Sequence, residues 1–256
     1  MAKLGDQMRK IARIKKGADP LLMSEVTYDP EEVELKKLFE MADFFNKTVL
    51  EVGCGVGRIT TRISKIAKEV YAIDVNEAVL EVAKRKALAQ KLHNIKFYRV
   101  SADEIRFPSN FFDVVLCSWC LHHISRKHET LRQIKKVLKR DGYLVIIEGS
   151  SKNDYVRLSS RVKPNEAKRI EEKTARIFRL AKKQFSLLKK VHFVTFYTIK
   201  SRASTLNLLD VYKVPLDRID RKVLDKFLDK RKTDGGYKLS ESGYIGIFKK
   251  RLKKRS

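Results

Sequence analysis

Three glycines at alternate positions, Gly53, Gly55 and Gly57, stand between two carboxylates, Glu51 and Asp74. Without a Cβ, such residues permit a tight turn and let a ligand lie against the backbone. Asp74 closes a second apolar run, where a carboxylate can accept hydrogen bonds from a ribose diol. The dinucleotide fingerprint is G-x-G-x-x-G, whereas this chain reads G-x-G-x-G with Glu51 just ahead of it. A carboxylate beside the loop suits a cationic ligand better than a pyrophosphate. Further along come Ala102-Asp103, then Cys117-Ser118-Trp119-Cys120-Leu121-His122-His123, then Glu148. The C-x-x-C spacing matches no zinc module, and its first cysteine belongs to an apolar run, so neither a metal nor a redox pair is expected. His122 or His123 can serve as a general base or orient a substrate. Either can equally cap a helix or bond a backbone carbonyl. Glu148 can touch a substrate or pair with a nearby cation.

These residues need elements to hold them. Thr48–Val52 is short, apolar and β-branched, which predicts a buried strand. A helical pattern follows the glycines, with Ile59, Ile63 and Ile66 on one face, and Val70–Ile73 reads as the next strand. The spacing predicts a helix from Asn76 to about Lys91, a strand over Ile95–Val100, a strand over Val114–Cys117, a helix over Arg126–Arg140 and a strand over Tyr143–Glu148. Each polar residue named above falls at or just after the carboxyl end of a strand, where open α/β sheets bind ligands. Asp29-Pro30-Glu31-Glu32 predicts a helix start, with the helix running to about Phe45. Beyond Ser150 the expectations are a long basic helix over Asn165–Leu188, a strand over Val191–Ile199, short helices near 206–209 and 219–228, and a last strand over Tyr237–Lys249.

The run E-V-G-C-G-V-G followed by I-D resembles motifs I and II of the class I S-adenosylmethionine (SAM) methyltransferases. The resemblance continues through Ala102-Asp103, FDVVLCSWCLHHI and YLVIIEG. It is close over about residues 30–150, looser beyond, and strongest to the type 11 group of quinone and small-molecule enzymes. It implies an α/β, Rossmann-like, seven-stranded sheet, mostly parallel with the last strand antiparallel, under a helical N-terminal cover and a helical lid. It implies a SAM site made by Glu51, Gly53, Cys54, Gly55, Gly57, Asp74, Val75, Ala102, Asp103 and Cys117. In that family the glycine loop holds the methionine half, the acid of motif II binds the ribose hydroxyls, and an acid placed like Asp103 bonds the adenine amino group. The stretch after Cys117 lacks the Asn/Asp-Pro-Pro-aromatic tetrapeptide of enzymes that methylate planar amino groups. It also lacks a Pro-Cys or Thr-Cys nucleophile pair. The expected reaction is methyl transfer to oxygen or carbon of a small-molecule or lipid-like acceptor, with an RNA methyltransferase as the alternative and a non-catalytic binding protein as a third.

The chain of 256 residues contains no run of about 18 apolar residues, and its three cysteines suit a reducing cytoplasm rather than a disulfide framework. Its basic N-terminus lacks the apolar region of a signal peptide. The net charge is +26. From Ser150 onward there are 30 Lys and Arg against 11 Asp and Glu. That excess points to an anionic partner, such as RNA, an anionic membrane surface or a phosphorylated substrate, or to the lysine-rich surface of a heat-adapted protein. The expected organisation is a basic N-terminal segment (1–30) containing an amphipathic stretch over Met1–Lys16, a SAM-binding core (31–150), a helical lid (151–190), the rest of the same sheet (191–249) and a basic tail (250–256).

Overall fold

The computed structural model describes residues 24–251, so the basic stretch over Met1–Lys16 and most of the tail lie outside the described residues. The described chain divides into two compact units. The larger, here the core unit, takes Leu35–Gly149, Glu172–His192 and 244–251; the second unit takes 24–34, Ser150–Glu171 and Phe193–Gly243.

In the core unit, strands β2 (Thr48–Val52), β3 (Glu69–Asp74), β4 (Ile95–Arg99), β5 (Phe112–Ser118) and β6 (Leu138–Gly149) form a parallel sheet. The order is β6-β5-β2-β3-β4. The order reverses between β2 and β5, which places a crevice at their carboxyl ends. Strands β7 (Phe185–Ile199) and β9 (Gly236–Lys250) extend the sheet beyond β6 as its antiparallel edge and contribute residues to both units. Helices α3 (Glu77–Ala89) and α4 (Lys127–Val137) bury an apolar stripe, Leu131, Ile134 and Val137 in α4. Parallel strands covered on both faces read as unbroken apolar runs, and Val114–Cys117 and Leu144–Ile147 are fully buried. Helix α6 (Glu166–Lys182) sets Phe178 against Phe248, with ring centroids 5.6 Å apart. Gly246 makes that possible, because a Cβ there would lie 2.5 Å from the Phe178 ring.

The second unit pairs β1 (Val26–Tyr28) with the end of β7, Val26 opposite Ile199. It adds the short β8 (Lys232–Thr233) beside β9. Helices α5 (Asp154–Ser159), α7 (Arg202–Val211) and α8 (Arg221–Asp229) pack Leu158, Leu208, Leu209 and Leu228 into its own apolar cluster.

Several sequence expectations shift. Among the described residues nine strands replace seven, because β1 and β8 are too short to show a period of their own. Helix α1 (Val33–Met41) starts later than expected, but Asp29 does cap it, its carboxylate accepting from the Val33 and Glu34 amides at 2.8 and 3.0 Å. The helix behind the glycines, α2 (Thr60–Ile63), is one turn long. The basic helix stops at Lys182, and the strand expected from Val191 begins at Phe185. Phe185 and Leu188 continue the spacing of Phe178 and Ala181, yet Phe185 is buried while Ser186 and Leu188 are exposed, as a strand requires. Pairing beside β9 decides between the two periods.

Candidate active site

The glycine turn leaves β2 and is fixed from below. The Gly53 and Cys54 amides donate to the Ile73 carbonyl at 2.8 and 3.0 Å, at the end of β3. Gly53, Gly55 and Gly57 have φ of +70°, +53° and +73°, the left-handed region that other residues enter at a cost. A Cβ at Gly53 would sit 2.6 Å from the Cys120 Cβ, whereas one at Gly55 would meet nothing within 4 Å. The turn is therefore packed at its first glycine and open at its second. Asp74 holds it from the side: one carboxylate oxygen accepts from the Gly55 amide and the other from the Asn76 amide, each at 3.0 Å. Asn76 in turn caps α3 by accepting from the Ala78 amide. Glu51 lies beneath, buried, and accepts from the Thr60 hydroxyl.

Above these strand ends lies a cleft of about 510 Å³, a volume typical of small-ligand sites. Gly53, Asp74, Val75, Ala102, Asp103 and His123 line it, as do Val52, Ile73, Val100, Ser101, Trp119, Cys120, Ile124, Ser125 and Arg126. Of the other sequence-predicted residues, Glu51, Cys54, Gly55 and Gly57 form and support the turn without lining the cleft, and His122 stands beside it. Cys117 is wholly buried in the core between Val52 and Ile146 on the neighbouring strands, so its thiol faces packing and not the cleft. Strand alternation turned its side chain the other way. Asp103 accepts from the Ser101 hydroxyl, and its other oxygen lies 3.7 Å from the Arg126 guanidinium.

Sequence reasoning did not single out Trp119 as a lining residue, although it is the chain's one tryptophan and follows a strand end. Its φ of +53° is a strained conformation for a bulky side chain. Gly149 gives it room, a Cβ there falling 3.2 Å from the ring. Arg126 was expected only as the start of a helix, yet it lines the cleft with Ile124 and Ser125.

The thiols are not poised for nucleophilic work. Burial, with Glu51 and Asp74 close by, pushes the Cys54 thiol well up. Contact with Cys117 and burial do the same for Cys120, whose thiol donates to the Val52 carbonyl. A thiolate would be needed for attack or metal binding.

Glu148, at the carboxyl end of β6, is buried, and it does pair with a cation-capable neighbour. Its Oε1 accepts from the His122 backbone amide at 3.1 Å, and its Oε2 lies 2.7 Å from His122 Nδ1. The His122 and His123 rings are 3.9 Å apart between centroids.

Residues 50–146 match the methyltransferase domain family of type 11. Over 108 residues the chain is 29% identical to the uncharacterized methyltransferase YcgJ of Bacillus subtilis, covering 42% of this chain and 43% of that protein. Over 106 residues it is 33% identical to the ubiquinone/menaquinone biosynthesis C-methyltransferase UbiE of Vibrio cholerae, covering 40% and 41%. The matched region thus spans about two fifths of the length of these curated relatives. A SAM-dependent methyltransferase structure from Aquifex aeolicus superposes with a TM-score of 0.53 at 22% identity, covering 93% of this chain and 98% of that one. At that identity the likeness is one of fold.

Proposed function

We propose, since the chain carries a class I SAM-dependent methyltransferase domain of the type 11 group, that the whole protein transfers a methyl group from SAM to oxygen or carbon of a small-molecule or lipid-like acceptor in the cytoplasm. The observation that carries this reading is the cleft itself: the first glycine of the turn, a carboxylate at the end of β3 and another after β4 around one cavity. The residues fit the group. The Gly53–Gly57 turn would take the methionine half over Glu51 and Cys54. Asp74 would take the ribose, and Val75, Ala102 and Asp103 the adenine. Asp74 keeps lone pairs for two hydroxyls after accepting one amide on each oxygen. Cys117 drops out of the set.

When bound, SAM supplies an activated methyl group and a neutral leaving group. The chain's own contribution is alignment and exclusion of water, with Trp119 and Ile124 as apolar lining. His122 or His123 would handle any proton the acceptor must lose. The C-methyltransferase named among the relatives supports the carbon option. Calorimetry should give saturable SAM binding, and labelled methyl groups should enter the lipid or small-metabolite fraction of a cell extract. No SAM binding would end the reading, and label confined to RNA would replace it.

That second outcome has a specific observation in its favour. Counted by unit, the core unit carries 31 Lys and Arg against 14 Asp and Glu, the second unit 17 against 15. The excess therefore belongs to the core unit and is not spread through the last third of the sequence. Residues 135–140, 173–192 and 244–251 hold 14 cations and no carboxylate. Lys250 shows the crowding: burial lowers its affinity for a proton, and Lys135 and Arg140 lower it further. A nucleic acid would release counterions from such a surface, so tRNA binding would weaken about 10-fold or more between 50 and 200 mM salt. Binding that ignores salt would leave these cations as a solvated face.

A further inference from the structure

We infer that His122, held by Glu148, is the general base of the reaction proposed above, and that the acceptor is one whose reacting O–H or C–H must be ionised. The inference rests on that methyl-transfer reading and narrows it.

Glu148 grips a single residue twice, by the backbone amide and by Nδ1 of His122. The carboxylate is 1% exposed. One proton must lie between a carboxylate oxygen and an imidazole nitrogen this close; the proposal places it on Nδ1, which leaves the neutral ring its lone pair at Nε2. The His122 side chain remains 21% exposed. Position agrees with this assignment. The adenosine end of the cleft lies over β3 and β4, through Asp74, Val75, Ala102 and Asp103. Trp119, Cys120 and the His pair follow β5, and Glu148 ends β6, its register neighbour, with Ser118 opposite Ile147. His122 thus stands towards β6, away from the β3 and β4 side that the nucleoside would take.

The balance of the step is simple. The acceptor's proton goes to His122 Nε2, the acceptor's oxygen or carbon forms a bond to the methyl carbon, and the methyl–sulfur bond breaks to give neutral S-adenosylhomocysteine. The imidazolium formed lies against the Glu148 carboxylate, which stabilises it. Glu148 is a positioning residue, since it acts through His122. Tertiary amines and thioethers attack without losing a proton and would gain nothing from this pair. His123, on the same turn, lines the cofactor cleft and belongs to ligand binding.

Two measurements test this. Nitrogen NMR of histidine-labelled protein should show His122 as the Nδ1–H tautomer, becoming a tautomer mixture in Glu148→Gln. Labelled-methyl transfer into the extract fraction that takes most label should fall about 100-fold or more in His122→Asn. The SAM dissociation constant should stay within twofold, and the rate should recover as pH rises and the acceptor ionises by itself. Glu148→Gln should fall less and Glu148→Asp should recover part of the loss, while the surface variant His128→Asn is unchanged. A His122→Asn rate within threefold of the parent, or a loss that alkaline pH does not relieve, overturns the base. An Nε2–H tautomer overturns the geometry. If the parent protein binds no SAM, the methyl-transfer reading fails whatever the tautomer; if it binds SAM and labels no fraction, both fail together.

Discussion

Four carboxylates are buried in the second unit, Asp29, Glu34, Asp154 and Glu241, and two in the core unit, Glu51 and Glu148. In the second unit they are answered within its own packing. Asp154 meets the Arg231 guanidinium and the Ser240 amide. Glu241 accepts from Asn153, Tyr155 and the Ser242 amide at 3.2, 3.2 and 2.7 Å, and Tyr28 donates to Glu34. In the core unit the two buried acids sit near the carboxyl ends of β2 and β6, Glu51 accepting from the Thr60 hydroxyl and Glu148 from the His122 amide. Buried acids thus lock the packing in one unit and stand behind the strand ends that carry the cleft in the other. The second unit also shows what the partner of a buried acid decides. Burial pushes both Asp154 and Glu241 up, but Arg231 pulls Asp154 below its ordinary value, while Glu241, with neutral donors and Glu34 nearby, rises to about 7.

The sharpest way to break this comparison is Arg231→Ala. It strands a buried carboxylate and should cost about 3–5 kcal/mol in denaturant unfolding at pH 7. A loss under about 1 kcal/mol would mean that water reaches Asp154. The folded-state value of Asp154 is depressed, so its contribution is present above the ordinary carboxylate range and lost as pH falls through the folded value.

Glu241 has the opposite sign. Its folded value, about 7, lies above the ordinary 4.5, so it holds its proton in the fold while the unfolded chain has released it. Stability from this group is full below about pH 4.5 and is lost as pH rises towards 7, on the order of 3 kcal/mol. Glu241→Gln should remove that slope, as read from the difference between the two proteins' unfolding free energies across that window. Equal slopes would refute the assignment.

In the core unit, Asp74→Ala should weaken SAM about 10- to 100-fold, roughly 1.4–2.7 kcal/mol, by removing the ribose acceptor and the two amide contacts that shape the turn. A change under threefold would contradict both roles. Gly57→Ala should cost about 1–2 kcal/mol of stability, because φ is +73° and the new Cβ would meet Ala83 at 3.0 Å. A neutral result would show that the turn can rearrange.

The glycine turn, the strands either side of it and the placement of Asp74, Val75, Ala102 and Asp103 were legible in the sequence. Each is a local pattern, and an acid after an apolar run falls at a strand end however the rest folds. Cys117 was misjudged because alternation along a buried strand cannot be phased when every residue is apolar. The helix–strand boundary near Phe185 was hidden for a related reason, since a short apolar set fits two periods and only a neighbouring strand chooses between them.

Residue order alone therefore settled which segments form the central strands and where their polar ends lie, because backbone geometry and side-chain chemistry act over a few positions. Tertiary structure alone decided that His122 meets Glu148, 26 residues away along the chain. It alone joined Glu172–His192 and the last strand's end to the core unit, and so assigned the positive charge to it. Those outcomes depend on which strands lie side by side, and strand pairing is fixed by the burial of the whole sheet, a property that no single segment contains.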